Sequence, residues 1–109
     1  RGAFKEEAPL TSGVEGYRIY PLISFNPERA FETYYLEIEP GVQFHAEPHQ
    51  GNAEEHVFVM RGQIEITLAD EVFHVVSQHF ISFQADCVHS YQNDGANMAV
   101  AILTISYLP

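Results

Sequence analysis

The twelve residues from His45 to His56 read HAEPHQGNAEEH and hold three histidines and three glutamates. Solvation alone would be served by Lys, Asp or Ser, so the residue types themselves call for a chemical reading. Imidazole and carboxylate are borderline-to-hard donors, and together they form the set that holds a divalent ion such as zinc, iron, manganese or nickel. Residues two apart on an extended strand face the same side, so Glu47 and His49 are expected to point together. A tight loop over QGNAE would bring Glu55, or its neighbour Glu54, back on the next strand. His89, just before the alternating stretch SYQN, is a further imidazole within reach of such a site. The competing reading is a solvated acidic loop with scattered histidines.

Short alternating apolar runs must position these donors. They recur as YRIYPLI (17–23), FETYYLEI (31–38), HVFVM (56–60), QIEITL (63–68), EVFHVV (71–76), HFISF (79–83) and MAVAILTISY (98–107). Period-two patterning rich in aromatic and β-branched residues predicts strands. Turn signals separate the runs: EPG at 39–41, RG at 61–62, ADE at 69–71 and NDG at 93–95. No long window repeats apolar residues at helical spacing, so the expectation is an all-β sandwich or barrel. The first sixteen residues are turn-rich and are expected to wrap the outside.

At 109 residues the chain is long enough for one domain with a core of its own. Five Lys+Arg against fifteen Asp+Glu give a formal net charge of -10. Such a field repels phosphate backbones, which argues against direct nucleic-acid contact by this segment. No apolar run approaches the roughly 18 residues of a membrane helix. The lone cysteine, Cys87, excludes an internal disulfide and reads as a half-buried small residue in a reducing compartment.

Two motifs in order resemble the cupin family. Gly41 followed by Glu47 and His49, then Glu55, HVFVMR and Gly62, is similar to the first cupin motif. FQADCVHSYQN, with Phe83, Ala85, Asp86, His89, Tyr91 and Asn93, is similar to the second. More narrowly, the pattern resembles the cupin domains fused behind a helix-turn-helix in bacterial XRE-type transcription regulators. The sequence departs from the family in three places. Glu47 replaces the first motif histidine. The gap from His49 to Glu55 is one residue longer than usual, which leaves Glu54 as an alternative. Gln78 and Gln84 stand where cupins often have Gly and Pro.

The resemblance implies a cupin double-stranded β-helix, an antiparallel jelly-roll barrel, over residues 17–109 behind an N-terminal extension (1–16). It implies one divalent metal, zinc before iron, manganese or nickel, on Glu47, His49, Glu55 and His89. His45, Glu54, Tyr91 and Asn93 are the candidate ligand-binding residues around it. The implied role is the effector-sensing domain of a cytoplasmic regulator that reaches DNA through a missing N-terminal domain and forms a homodimer through exposed apolar residues of YRIYPLI. The alternative is a metal-dependent dioxygenase, isomerase or lyase, although no spacing singles out a catalytic base. Two carboxylates and two imidazoles around a divalent ion are near neutral, and the motifs carry no cation except Arg61. A zwitterionic small molecule suits that site, an amino acid with an apolar or thioether side chain being the candidate effector.

The other histidines and phenylalanines have structural readings. His56 is expected to face away from Glu55, and His74 and His79 to flank a hairpin in solvent or at an interface. Phe44, Phe58 and Phe80 read as core or sheet-packing residues.

Overall fold

The computed structural model describes residues 2–6, 8–48 and 52–107. Nine strands account for the regular structure of those residues: β1 (Tyr17–Ile23), β2 (Phe31–Ile38), β3 (Gln43–Ala46), β4 (Ala53–Arg61), β5 (Gln63–Leu68), β6 (Glu71–Val76), β7 (Phe80–Gln84), β8 (His89–Gln92) and β9 (Ala99–Tyr107). They form a five-stranded sheet in the order β1-β2-β9-β4-β7 and a four-stranded sheet in the order β3-β8-β5-β6. All pairings are antiparallel. The all-β jelly-roll expectation is met, and no described residue is helical.

Period-two alternation supplies the core. Leu36 and Ile38 of β2, Val57 and Val59 of β4, Ile64 and Ile66 of β5, and Ala99, Ala101, Leu103 and Ile105 of β9 turn inward and are buried. Each such side chain contributes roughly 1.5–3 kcal/mol where it is a full aliphatic one. Pro21, which cannot donate to a ladder, sits in β1 at the edge of its sheet, beside a register shift. Phe44 stacks on Tyr17 with ring centroids 4.4 Å apart, as a core residue. Phe58 and Phe80 pair across β4 and β7 on the outer face, where Phe80 is 73% exposed. They pack on the sheet and add nothing to the core.

Turn chemistry departs from glycine at two described positions, Ala69 at φ 54° and Gln78, and the second is instructive. The β4–β5 turn uses Gly62 at φ 74°, where a Cβ would lie 2.9 Å from the Met98 carbonyl oxygen. The β6–β7 turn instead places Gln78 at φ 68°, a left-handed conformation that glycine takes without strain. Gln78 is held there by its side chain, whose Nε2 donates to the Met60 carbonyl at 3.0 Å, and by its backbone N–H donating to Val59 at 2.7 Å. A side-chain clasp thus stands in for the missing glycine.

The residues ahead of β1 run along the barrel. Phe4 packs on Tyr20 and Tyr35 of the outer face, and Lys5 pairs with Glu37 at 2.7 Å. Leu10 bridges to Ile19 and reaches the mouth of the interior cavity.

Candidate metal and ligand site

The strand alternation of β4 decides which glutamate enters the barrel. Ala53, Glu55, Val57 and Val59 face inward, and Glu55 is 2% exposed. Glu54 and His56 face outward. Glu54 lies 3.6 Å from His56, whose ring nitrogens are bonded to Ser82 (2.8 Å) and Ser106 (3.0 Å). From the opposite sheet β8 turns His89 and Tyr91 toward Glu55. His89 Nε2 lies 2.8 Å from Glu55 Oε2, and the Tyr91 hydroxyl donates to Glu55 Oε1.

The second nitrogen of His89 defines the chemistry of the first. Nδ1 lies 2.9 Å from the Cys87 carbonyl, which can only accept, so Nδ1 carries a proton. Nε2 is therefore the nitrogen turned toward the carboxylate, the arrangement in which a histidine is oriented for metal binding. Burial works against the imidazolium. The hydrogen bonds to Glu55 and to the Cys87 carbonyl, with the Glu55 charge, outweigh it and raise the His89 pKa. Burial foremost, and then the Glu55 charge, hold the Tyr91 phenol far above its ordinary value, so it remains a donor. These donors suit a divalent ion: an oriented imidazole and a carboxylate oxygen already meet at hydrogen-bond distance.

Glu55 and Tyr91 line a cavity of about 480 Å³ between the sheets, with His89 behind Glu55. Tyr17, Phe44, Leu103 and Ile105 give it apolar walls, and Glu32, Glu47, Glu55 and Tyr91 supply polar groups. Glu47 and His45 are both exposed at the rim. The expected extension of the strand through Glu47 to His49 stops short, because β3 ends at Ala46. Pro48 is the physical reason: it lacks the N–H for a ladder and restricts the residue before it. His49 itself lies outside the described residues.

Asn93 shares the inward phase of His89 and Tyr91 but does not line this cavity. Its Nδ2 donates to the Ile38 carbonyl (2.8 Å) and the Asn97 carbonyl (2.7 Å), and its Oδ1 accepts from the Gly95 N–H (2.9 Å). The fully buried amide ties the β8–β9 turn to β2.

Two groups escaped sequence reasoning. Glu65, His74 and Asp94 form a cluster on the outer face of the four-stranded sheet, with ligand atoms within 4.8 Å of one another, that could hold a metal ion. Its signal was the β5–β6 register, which sets Glu65 opposite His74. The other is Glu32, a carboxylate in phase with the buried Leu36 and Ile38 of β2. It is 9% exposed and accepts from the hydroxyls of Tyr34 (2.7 Å) and Tyr107 (3.1 Å).

Comparison with known proteins bears on the family and the fold. The family model for the cupin domain (Cupin_2) matches residues 34–106. The HTH-type transcriptional regulator SutR of Escherichia coli is 29% identical over 77 residues, which are 71% of this chain and 43% of the relative. The chain thus spans less than half the length of that curated relative. Among solved structures, the Cupin_2 domain of an XRE family transcriptional regulator from Enterobacter cloacae superposes with a TM-score of 0.78 at 22% identity, covering 87% of this chain and 99% of that one. An HTH_3 family transcriptional regulator from Vibrio cholerae gives 0.80 at 18% identity, covering 86% and 52%. At such identities the structural likeness speaks for the fold, and the family match covers most of the barrel: the chain belongs to the cupin domain family.

Proposed function

We propose that this chain is the effector-sensing domain of a transcription regulator, binding a small molecule at a divalent metal held inside the barrel. The observation that carries the reading is the Glu55–His89 pair, with the imidazole oriented by the Cys87 carbonyl and Glu55 at the wall of a cavity sized for a small metabolite. Glu55 and His89 would hold the ion, His49 and Glu47 would complete the set, and zinc is the first choice for such donors. A bound ion would supply open positions for the amine and carboxylate of an effector. Tyr91 would keep the Glu55 carboxylate aimed at it, while Tyr17, Phe44, Leu103 and Ile105 exclude water from the rest.

The names of the relatives support a regulatory rather than an enzymatic role. DNA contact would come from a helix-turn-helix outside this segment, because a chain of net charge -10 repels phosphate. Residues 1–16 would be an extension on the barrel and 17–109 the cupin domain of a cytoplasmic protein. A homodimer would let two reading heads meet two half-sites. Leu22 and Ile23, exposed on the edge strand β1, are contact candidates.

Calorimetry of the zinc-loaded chain against amino acids and sugar phosphates tests the effector class. Amino-acid binding that disappears when the zinc is stripped is the expected result. Tight binding of a phosphate ester alone would overturn it, and sedimentation as a monomer at high concentration would remove the dimer.

A further inference from the structure

Glu32 is a carboxylate in the wall of the interior cavity, and it also borders an outer hollow that it shares with Arg29 and Tyr107. Among the described residues no ion pair reaches it: Lys5 and Arg18 are engaged by Glu37 and Glu39, and the Arg29 guanidinium donates to the Ser24 carbonyl at 2.7 Å. Tyr34 and Tyr107 each donate to one of its oxygens. Burial, followed by Glu32, pushes the Tyr107 pKa up to about 12, so that donor keeps its proton at neutral pH. Two hydroxyls occupy two of the roughly four acceptor positions of a carboxylate, so the group is positioned with capacity to spare. A carboxylate held this way offers its spare acceptor positions to a donor that enters the cavity.

Register gives its place relative to Glu55. Glu32 pairs with Ile105, and Ile105 pairs with Glu55, so the two carboxylates share one row of the sheet on either side of β9. Two strand spacings separate their backbones by roughly 10 Å. Both line the same cavity, and no lysine or arginine is among its described lining residues.

We propose that Glu32 recognises a cationic group on the small molecule that enters the cavity, so that the preferred amino acids carry a positively charged side chain. The inference rests on the reading of the cavity as an effector site. It departs from an apolar side chain because the row Glu32–Ile105–Glu55 offers an anion at each end. One end of the guest meets Glu55, and the distal ammonium meets Glu32 beside Tyr34.

The probes are lysine and norleucine, which share a backbone and chain length and differ in the distal ammonium. Titrations are followed by calorimetry, with zinc at one equivalent and after EDTA treatment. Lysine should bind about tenfold more tightly than norleucine, as a charge-assisted hydrogen bond supplies. Glu32→Gln, which preserves shape and a hydroxyl acceptor, should bring the two within about twofold of each other without changing zinc content. Equal binding of both amino acids by the unaltered chain, or a lysine preference that survives in E32Q, overturns the proposal. So does failure of lysine to bind in either zinc condition. If E32Q fails to fold, the comparison on the unaltered chain decides alone. A lysine preference without zinc supports Glu32 even where the metal reading fails. Bound zinc with no lysine preference removes Glu32 and leaves the metal reading standing.

Discussion

Among the described residues, an inner and an outer cluster of imidazole and carboxylate differ in what surrounds them. Glu55, His89 and Tyr91 meet inside, where His89 is 1% exposed and every described contact is short and directed. Glu65, His74 and Asp94 meet outside, with His74 Nδ1 at 3.8 and 3.6 Å from the carboxylates and its side chain 62% exposed. The residue types are nearly the same. Inside, each partner pins the next: a carbonyl fixes the imidazole, the imidazole and a phenol fix the carboxylate. Outside, water competes for every contact, and such pairs contribute about 0–1 kcal/mol. Ligand chemistry is common on surfaces, whereas orientation is what burial adds.

The largest effect is expected at Glu55. Glu55→Ala would remove the carboxylate on which the Tyr91 hydroxyl and the His89 imidazole converge in the interior. Denaturant unfolding of the metal-free chain should show a loss of about 3 kcal/mol. A loss below about 1 kcal/mol would mean that the inner cluster behaves like a surface pair. Zinc addition sharpens the contrast. At a free concentration a hundred times its Kd, zinc should raise stability by about 2.7 kcal/mol. That gain should be read as a shift in thermal midpoint that His89→Ala abolishes and His74→Ala retains. Equal shifts in both variants would place the ion elsewhere.

Asn93 separates burial from ligation. Asn93→Ala removes three hydrogen bonds and leaves two carbonyls and an N–H to find other partners. A loss of about 2 kcal/mol is expected with zinc content unchanged. Metal loss on that substitution would return Asn93 to the site. The smallest effect belongs to the outer cluster: His74→Ala should change unfolding free energy by no more than about 0.5 kcal/mol. A larger drop would show that the outer charges are coupled more tightly than their exposure suggests.

Much of this was readable beforehand, and the unread parts have identifiable physical causes. Long alternating runs such as FETYYLEI and QIEITL became β2 and β5 with the same ends, because one buried face fixes both phase and register. The same phase separates Glu55 from Glu54, a choice that loop length between His49 and the strand had left open. The four-residue β3 ends before Glu47 because Pro48 follows it, so alternation could not be carried across to His49. Asn93 follows the inward phase of β8, yet its amide serves carbonyls from 55 and 4 residues away, which no local pattern encodes. Glu32 left a faint trace, a charge in phase with Leu36 and Ile38. Its tyrosine partner at 107 comes from β9, and only the folded sheet brings the two together.

The inner cluster, rather than the outer one, is proposed to hold the metal. Zinc stoichiometry after equilibration and desalting, measured in parallel on the unaltered chain, His89→Ala and His74→Ala, tests it most directly. One zinc per chain is expected for the unaltered protein and for H74A, and almost none for H89A. Zinc retained by H89A and lost from H74A would contradict it.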